Sequence, residues 1–290
     1  MNINPRIDIA FKKLFGSEEN KDILKAFVNS VLPEHEQIKD LTLKNPYNLA
    51  TYIAGKSGIL DIKAQAENGT WFDVEMQIGE QEFFGKRIKY YLDKMYVDQL
   101  NESDEYSKLK KVIGIAILDF DYFSDDRYKR GITYKDMETN ETYPHLNLSD
   151  IYFIELKKFS KDLQHLTSAL DRWITFLNKA HQYHKNNIPA ELASDLNVKL
   201  AIEKLETMYL DHDEREIYEN ERKRKLDKLE ELRTAKSEGM VEGELIGVQK
   251  GEHKKALEIA KKLLDVLNDE IISEKTGLSI EEIRKLRDET

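Results

Sequence analysis

The sequence predicts an α/β fold: a mixed sheet flanked by helices, followed by a helical C-terminal half and a helix-turn-helix-like tail. Three observations carry this. Residues 58–77, GILDIKAQAENGTWFDVEMQ, alternate apolar and polar side chains around a Glu67-Asn68-Gly69 turn, the signature of a half-buried β-hairpin. An amphipathic helical pattern follows, with Phe84, Ile88, Tyr91, Leu92, Met95, Tyr96 and Gln99 at helical spacing. Then KVIGIAILDF, residues 111–120, is an unbroken β-branched run, as in a strand buried on both faces. A helix between such strands is a crossover in a partly parallel sheet.

In chain order, Asp8 to Phe15 reads as a short helix with Ile9, Phe11, Leu14 and Phe15 buried and Gly16 at its end. Ser17 is expected to cap a second helix running to about Leu32, with Ile23, Leu24, Phe27, Val28 and Val31 as its buried stripe and Pro33 as its stop. Ile38 to Leu43 reads as a strand, and Lys44 to Gly55 as loop with a strand extension. After the central hairpin, helix and buried strand, residues 124–156 are β-rich. Tyr128 to Lys135, Thr142 to Leu146 and Ile151 to Leu156 form an antiparallel extension of the sheet or a small satellite. From Ser160 the pattern turns helical, with Leu163, Leu166, Leu170, Trp173, Ile174 and Leu177 on one helix. Glu191 to Tyr209 is another, and Asp211 to Arg233 is a solvated helix of mixed charge. Glycines at 239, 243, 247 and 251 read either as one face of a helix or as a flexible joint. In the tail, Thr276-Gly277-Leu278 is a turn and Ser279 with Glu282 forms a capping box. The expected divisions are 1–158, 159–235 and 236–290.

The 290 residues include no cysteine. Disulfides and thiolate metal sites are thereby excluded, and a reducing compartment fits. No apolar run approaches the roughly 18 residues of a membrane span, and the N-terminal stretch lacks a signal-peptide pattern. A cytoplasmic protein without membrane contact is expected. The net charge of −10 argues against non-specific nucleic-acid binding. Yet Lys86, Arg87, Lys89, Lys94, Lys108, Lys110 and Lys111 cluster after the hairpin.

The turn decides which acids meet. A two-residue loop would match one strand's polar face with the other's apolar face. A three-residue loop with Gly69 in the left-handed position places Asp61 opposite Glu75 and Lys63 opposite Asp73. A one-residue slip reverses every side chain, so burial selects the second register. Carboxylates facing across strands lie roughly 5 Å apart at Cβ and call for a cation between them. The same spacing suits an ordinary wet hairpin face with Lys63 and Asp73 as a surface pair.

The Asp-x13-Glu-x-Gln spacing on a hairpin, with PRIDIAFKKLFGSEENKDILKAFVNSVL before it and FFGKRIKYYLDKMYVDQL and KVIGIAILDF after it, resembles the PD-(D/E)XK nuclease superfamily. More narrowly it resembles the Rpn recombination-promoting nucleases and putative transposases of bacteria. The resemblance implies a restriction-endonuclease-like core and metal-dependent hydrolysis of double-stranded DNA. Asp61, Glu75 and the Met76 carbonyl would hold Mg²⁺ or Mn²⁺. Gln77 stands where the superfamily more often has lysine. Lys63 either supplies the missing cation or pairs with Asp73. Arg87 and Tyr91 would reach the scissile phosphate, unless Arg87 pairs with a nearby acid. Lys12 would contact phosphate, and Asp8 and Asp73 would support the site. Homodimerisation is expected, and no small-molecule substrate. The rival reading is an inactive nuclease-like protein that binds DNA or a partner and oligomerises through its tail.

Overall fold

A computed structural model describes residues 3–54, 62–79 and 82–288. The chain divides into two units, Met1–Lys225 and Leu226–Thr290. In the first, helices α1 (Asp8–Phe15) and α2 (Lys21–Val31) precede strand β1 (Leu41–Leu43) and a short helix α3 (Leu49–Ala54). The hairpin follows as β2 (Ile62–Ala66) and β3 (Trp71–Gln77), then α4 (Phe84–Val97) and β4 (Val112–Leu118). Strands β5 (Lys129–Ile132) and β6 (Ser149–Glu155) complete one sheet in the order β1-β2-β3-β4-β6-β5. β3, β4 and β6 are mutually parallel, and the other pairings are antiparallel. Helices α5 (Ala169–Lys179), α6 (Ala190–Ala193) and α7 (Leu196–Thr207) follow, then α8 (His212–Leu263), which runs on into the second unit. There α9 (Asp269–Thr276) and α10 (Ile280–Asp288) close a small core around Ala260, Leu264, Ile272 and Ile283.

The hairpin adopts the three-residue register. Ile62 pairs with Val74 and Lys63 with Asp73, and Gly69 has φ +90°. Asp61 lies outside the described residues. Strand alternation then sorts the two cores. Phe72, Val74, Met76, Ile113, Ile115 and Ile117 join Phe11, Phe15, Phe27 and Trp173 in one cluster. Val112, Ala116 and Leu118 join Phe84, Ile88, Leu92 and Met95 of α4 in the other. Asp73, Glu75 and Gln77 share that second face by period two. The expected wet face of the hairpin is therefore covered: Asp73 is 1% exposed and Glu75 8%.

Gly114, opposite Asp73, is where α4 presses closest. A Cβ there would lie 2.9 Å from Leu92 Cδ1 and 3.5 Å from Ile88 Cδ1. Alanine can be admitted by a turn of the leucine end, but a branched side chain cannot. Gly114→Val is expected to cost about 1–3 kcal/mol of unfolding free energy, measured by urea denaturation.

Several elements differ from expectation for local reasons. Ser17 is no helix cap: its hydroxyl donates to the Lys13 carbonyl, and a 3₁₀ turn, Glu18–Asn20, precedes α2. The strand expected from Ile38 is only Leu41–Leu43, and part of the expected strand extension after it is α3. Thr142 to Leu146 is not a strand, and Pro144–Leu146 forms a 3₁₀ turn, consistent with proline's missing donor. The helix expected from Ser160 begins at Ala169, where Ser168 and Asp171 form a capping box. The single helix expected from Glu191 is broken, and Asp195 caps the second piece. The spaced glycines lie within α8.

Candidate active site

Glu75 projects from β3 beneath the first turns of α4. One carboxylate oxygen accepts from the Arg87 guanidinium, which also donates to Gln77 Oε1 at 2.6 Å. The other oxygen, Oε2, is buried with no hydrogen-bond partner. Gln77 Nε2 donates to the Gly79 carbonyl at 2.9 Å. The amide of Gln77 is thus held at both ends, as an orienting group must be.

Helix α1 supplies the second wall. Lys12 Nζ lies 3.3 Å from Asp8 Oδ2 and 5.1 Å over the Tyr52 ring. The Tyr52 hydroxyl lies 2.7 Å from Asp8 Oδ2 and also contacts Glu221 Oε1 on α8. Glu221 Oε2 accepts from the Ile9 amide at 3.1 Å, serving one of the open donors at the start of α1. Burial pushes the Glu75 carboxyl up; the Arg87 guanidinium and Lys12 oppose this, Asp8 adds to it, and the net shift is upward. Burial likewise raises Glu221; the Tyr52 hydroxyl opposes it and Asp8 adds to it.

Of the residues singled out from sequence, Glu75, Gln77, Arg87, Asp8 and Lys12 are brought together. Arg87 takes the ion pair with an acid. Lys63 faces Asp73 across the hairpin, but no ion pair joins them among the described residues. Met76 turns its side chain into the opposite core, so only its backbone is available to a site on this face. Tyr91 is half-buried beside Tyr90, ring centroids 5.5 Å apart. Asp61 lies outside the described residues. Among the described residues no three His, Asp or Glu side chains converge as metal ligands do. Tyr52 and Glu221 were not foreseen. They are 169 positions apart, and no local pattern links them.

A raised carboxyl gives stability that is fully present below its unfolded value, about 4.3, and lost as pH rises through the folded value. Glu221→Gln removes that loss while its amide oxygen still accepts from Ile9. The variant is expected to melt higher than the parent at pH 8 and with a flatter dependence from pH 5 to 8, as thermal unfolding followed by circular dichroism would record.

A sequence model of the PD-(D/E)XK nuclease family transposases matches residues 5–235. No curated protein and no solved structure matches the chain. The matched span includes Asp8, Tyr52, Glu75, Arg87 and Glu221, so every side chain of this site falls within it.

Proposed function

The chain belongs to the PD-(D/E)XK nuclease family transposases, and we propose that it is a metal-dependent endonuclease that hydrolyses phosphodiester bonds of double-stranded DNA, in recombination or transposition within a bacterial cytoplasm. The observation that carries this reading is Glu75. A buried carboxylate with one oxygen on Arg87 and the other without a partner is costly by itself. A divalent cation compensates it, and hard oxygen donors suit Mg²⁺ or Mn²⁺. Glu75, Asp61 and the Met76 carbonyl would hold that ion. Bound there, it supplies Lewis-acid polarisation of the phosphate and a more acidic water.

The other side chains have separate tasks. Arg87 already spans Glu75 and Gln77, and its planar fork suits a phosphate oxygen when substrate displaces one of those contacts. Gln77 orients a water through an amide fixed at both ends. Lys12 and Lys63 offer positive charge where the superfamily's usual lysine is replaced. Asp8 holds Lys12 in place, Tyr52 holds Asp8, and Glu221 accepts from the same Tyr52 hydroxyl and from the Ile9 amide. Asp73 supports Glu75 from the neighbouring position on the same face, and Tyr91 lines the phosphate path from α4.

The test is relaxation of supercoiled plasmid with and without Mg²⁺. A second reading, a nuclease-like module that binds DNA without cutting it and associates through its tail, is favoured by the neutral Gln77 and by Arg87 already occupying Glu75. Retention of plasmid without nicking in any divalent metal would select it. No described helix is long and apolar enough to cross a membrane.

A further inference from the structure

The buried side of α4 packs on the sheet, but its opposite side has a composition that packing does not require. Phe83, just before the helix, and Lys86, Tyr90, Lys94 and Val97 are all exposed. At 100° per residue they fall within about 80° of arc and extend over about 21 Å. Aromatic and lysine positions alternate along this stripe: Phe83, Lys86, Tyr90, Lys94. Phe83 is 58% exposed, Tyr90 62% and Val97 67%. Neither Lys86 nor Lys94 is in an ion pair among the described residues. Lys86 Nζ instead sits 5.1 Å over the Phe83 ring. Asp93, on the flank, is occupied by Lys89, and no acid stands on the stripe itself.

This is unusual placement for such residues. Large rings exposed singly need no explanation, but rings interleaved with ammonium groups that no described acid pairs with, on one helical line, do. The chain carries a net charge of −10, so a positive stripe is a local feature against the overall sign. It is also continuous with the candidate site. Arg87, on the helix flank between the stripe and the buried side, is the residue that reaches Glu75 and Gln77. Tyr91, on the same flank, packs against Tyr90. Tyr134, half exposed in the segment after β5, lies close enough to Lys89 to bear on its charge.

We propose that the outer face of α4 is a track for a nucleic-acid strand with unstacked bases, which stack on Phe83 and Tyr90 while its phosphates meet Lys86 and Lys94. Rings accept any base face, and ammonium groups follow the backbone. A duplex keeps its bases inside and offers this stripe only phosphates. The substrate engaged here is therefore a single strand or a locally opened end leading into the site. This rests on the reading above that the substrate is nucleic acid, and it adds which form of it the protein grips.

The test uses the full chain and two fluorescent probes in Ca²⁺: an oligothymidine of about 16 nucleotides and a blunt duplex of equal length. Binding is read by anisotropy across a salt series. The Phe83→Ala, Tyr90→Ala double variant is expected to bind oligothymidine about a hundredfold more weakly, with duplex binding within about twofold of the parent's. Tyr90→Trp is expected to bind oligothymidine at least as tightly as the parent. Lys86→Gln with Lys94→Gln is expected to reduce the slope of log K against log salt by about 1.4 for that probe. All these positions are exposed, and unchanged thermal melting confirms folding. A parent that binds no oligothymidine, a double alanine variant that binds it like the parent, or equal losses for both probes would overturn the proposal. The outcomes also separate the two readings. Duplex nicking in Mg²⁺ without oligothymidine binding leaves the nuclease standing and removes the track. Stripe-dependent binding without nicking does the reverse.

Discussion

Asp61→Ala and Glu75→Gln are each expected to abolish Mg²⁺-dependent nicking of supercoiled plasmid, lowering the initial rate by at least about a thousandfold. The magnitude follows from the several kcal/mol of charge stabilisation that a bound divalent ion contributes to a phosphoryl transition state. Glu75→Gln keeps the shape of the side chain and leaves Arg87 its second partner, Gln77 Oε1 at 2.6 Å. Loss of rate therefore reports the carboxylate's charge rather than collapse of the site. A second readout separates this from a structural role. Burial raises the Glu75 carboxyl, so in metal-free buffer its contribution to stability declines as pH rises through the folded value. Glu75→Gln should therefore melt at or above the parent's temperature at pH 8 in EDTA, and should lack the upward shift that Mg²⁺ is expected to give the parent. A variant that nicks at the parent's rate would remove Glu75 from the chemistry. A variant that melts far lower in EDTA would make it a structural residue.

The parts of this protein that sequence made legible are those where one face is buried by local periodicity. The five apolar positions of α2 are all buried, and α1 ends at Phe15 with Gly16 after it. The hairpin register followed from the cost of turning Ile62, Ala64, Phe72 and Val74 outward. The burial of Asp73 and Glu75 was not legible. Alternation says which side chains share a face, not what covers that face, and only the packing of α4 over Gly114 decides it. Strand content in residues 142–146 was overestimated because β-branched and aromatic propensity is weak against a proline. The candidate site was half legible. Glu75, Gln77 and Arg87 lie close in the chain, so hairpin and helix geometry brings them together. Tyr52 and Glu221 arrive from α3 and α8, where the sequence shows a loop-like stretch and one acid among many.

The largest effect on stability is expected at Asp171, far in sequence from these residues. Its side chain is fully buried and every contact it makes is a donor. Tyr128 donates to Oδ1 at 2.8 Å, Lys161 to Oδ2 at 2.8 Å, the Thr167 and Ser168 amides to Oδ2 at 2.9 and 3.1 Å, and the Thr167 hydroxyl to Oδ2 at 3.1 Å. In return its own amide donates to Ser168 Oγ, closing the cap of α5. α5 carries Trp173, which packs on Phe15 and Phe27 at 5.9 and 5.7 Å. The carboxylate therefore ties the chain entering β5 to the helix that fills the main core. Burial alone would raise its carboxyl, but the Lys161 ammonium, the Thr167 amide and the Tyr128 hydroxyl outweigh it and hold it well below the usual carboxylate range. A depressed carboxyl contributes stability that is present above its unfolded value of about 3.9 and lost as pH falls toward the folded one. Between those values one such group contributes a slope of about 1.4 kcal/mol per pH unit. Asp171→Ala is expected to lower the unfolding free energy at pH 7 by about 3–4 kcal/mol, because it strands five donors and opens the cap. That corresponds to a melting temperature lower by about 10 °C. Urea denaturation at pH 7, 4 and 3 would check both parts: the difference between parent and variant should be largest at pH 7 and shrink below about pH 4. A constant difference across that range would mean that the side chain's shape, not its charge, secures the helix.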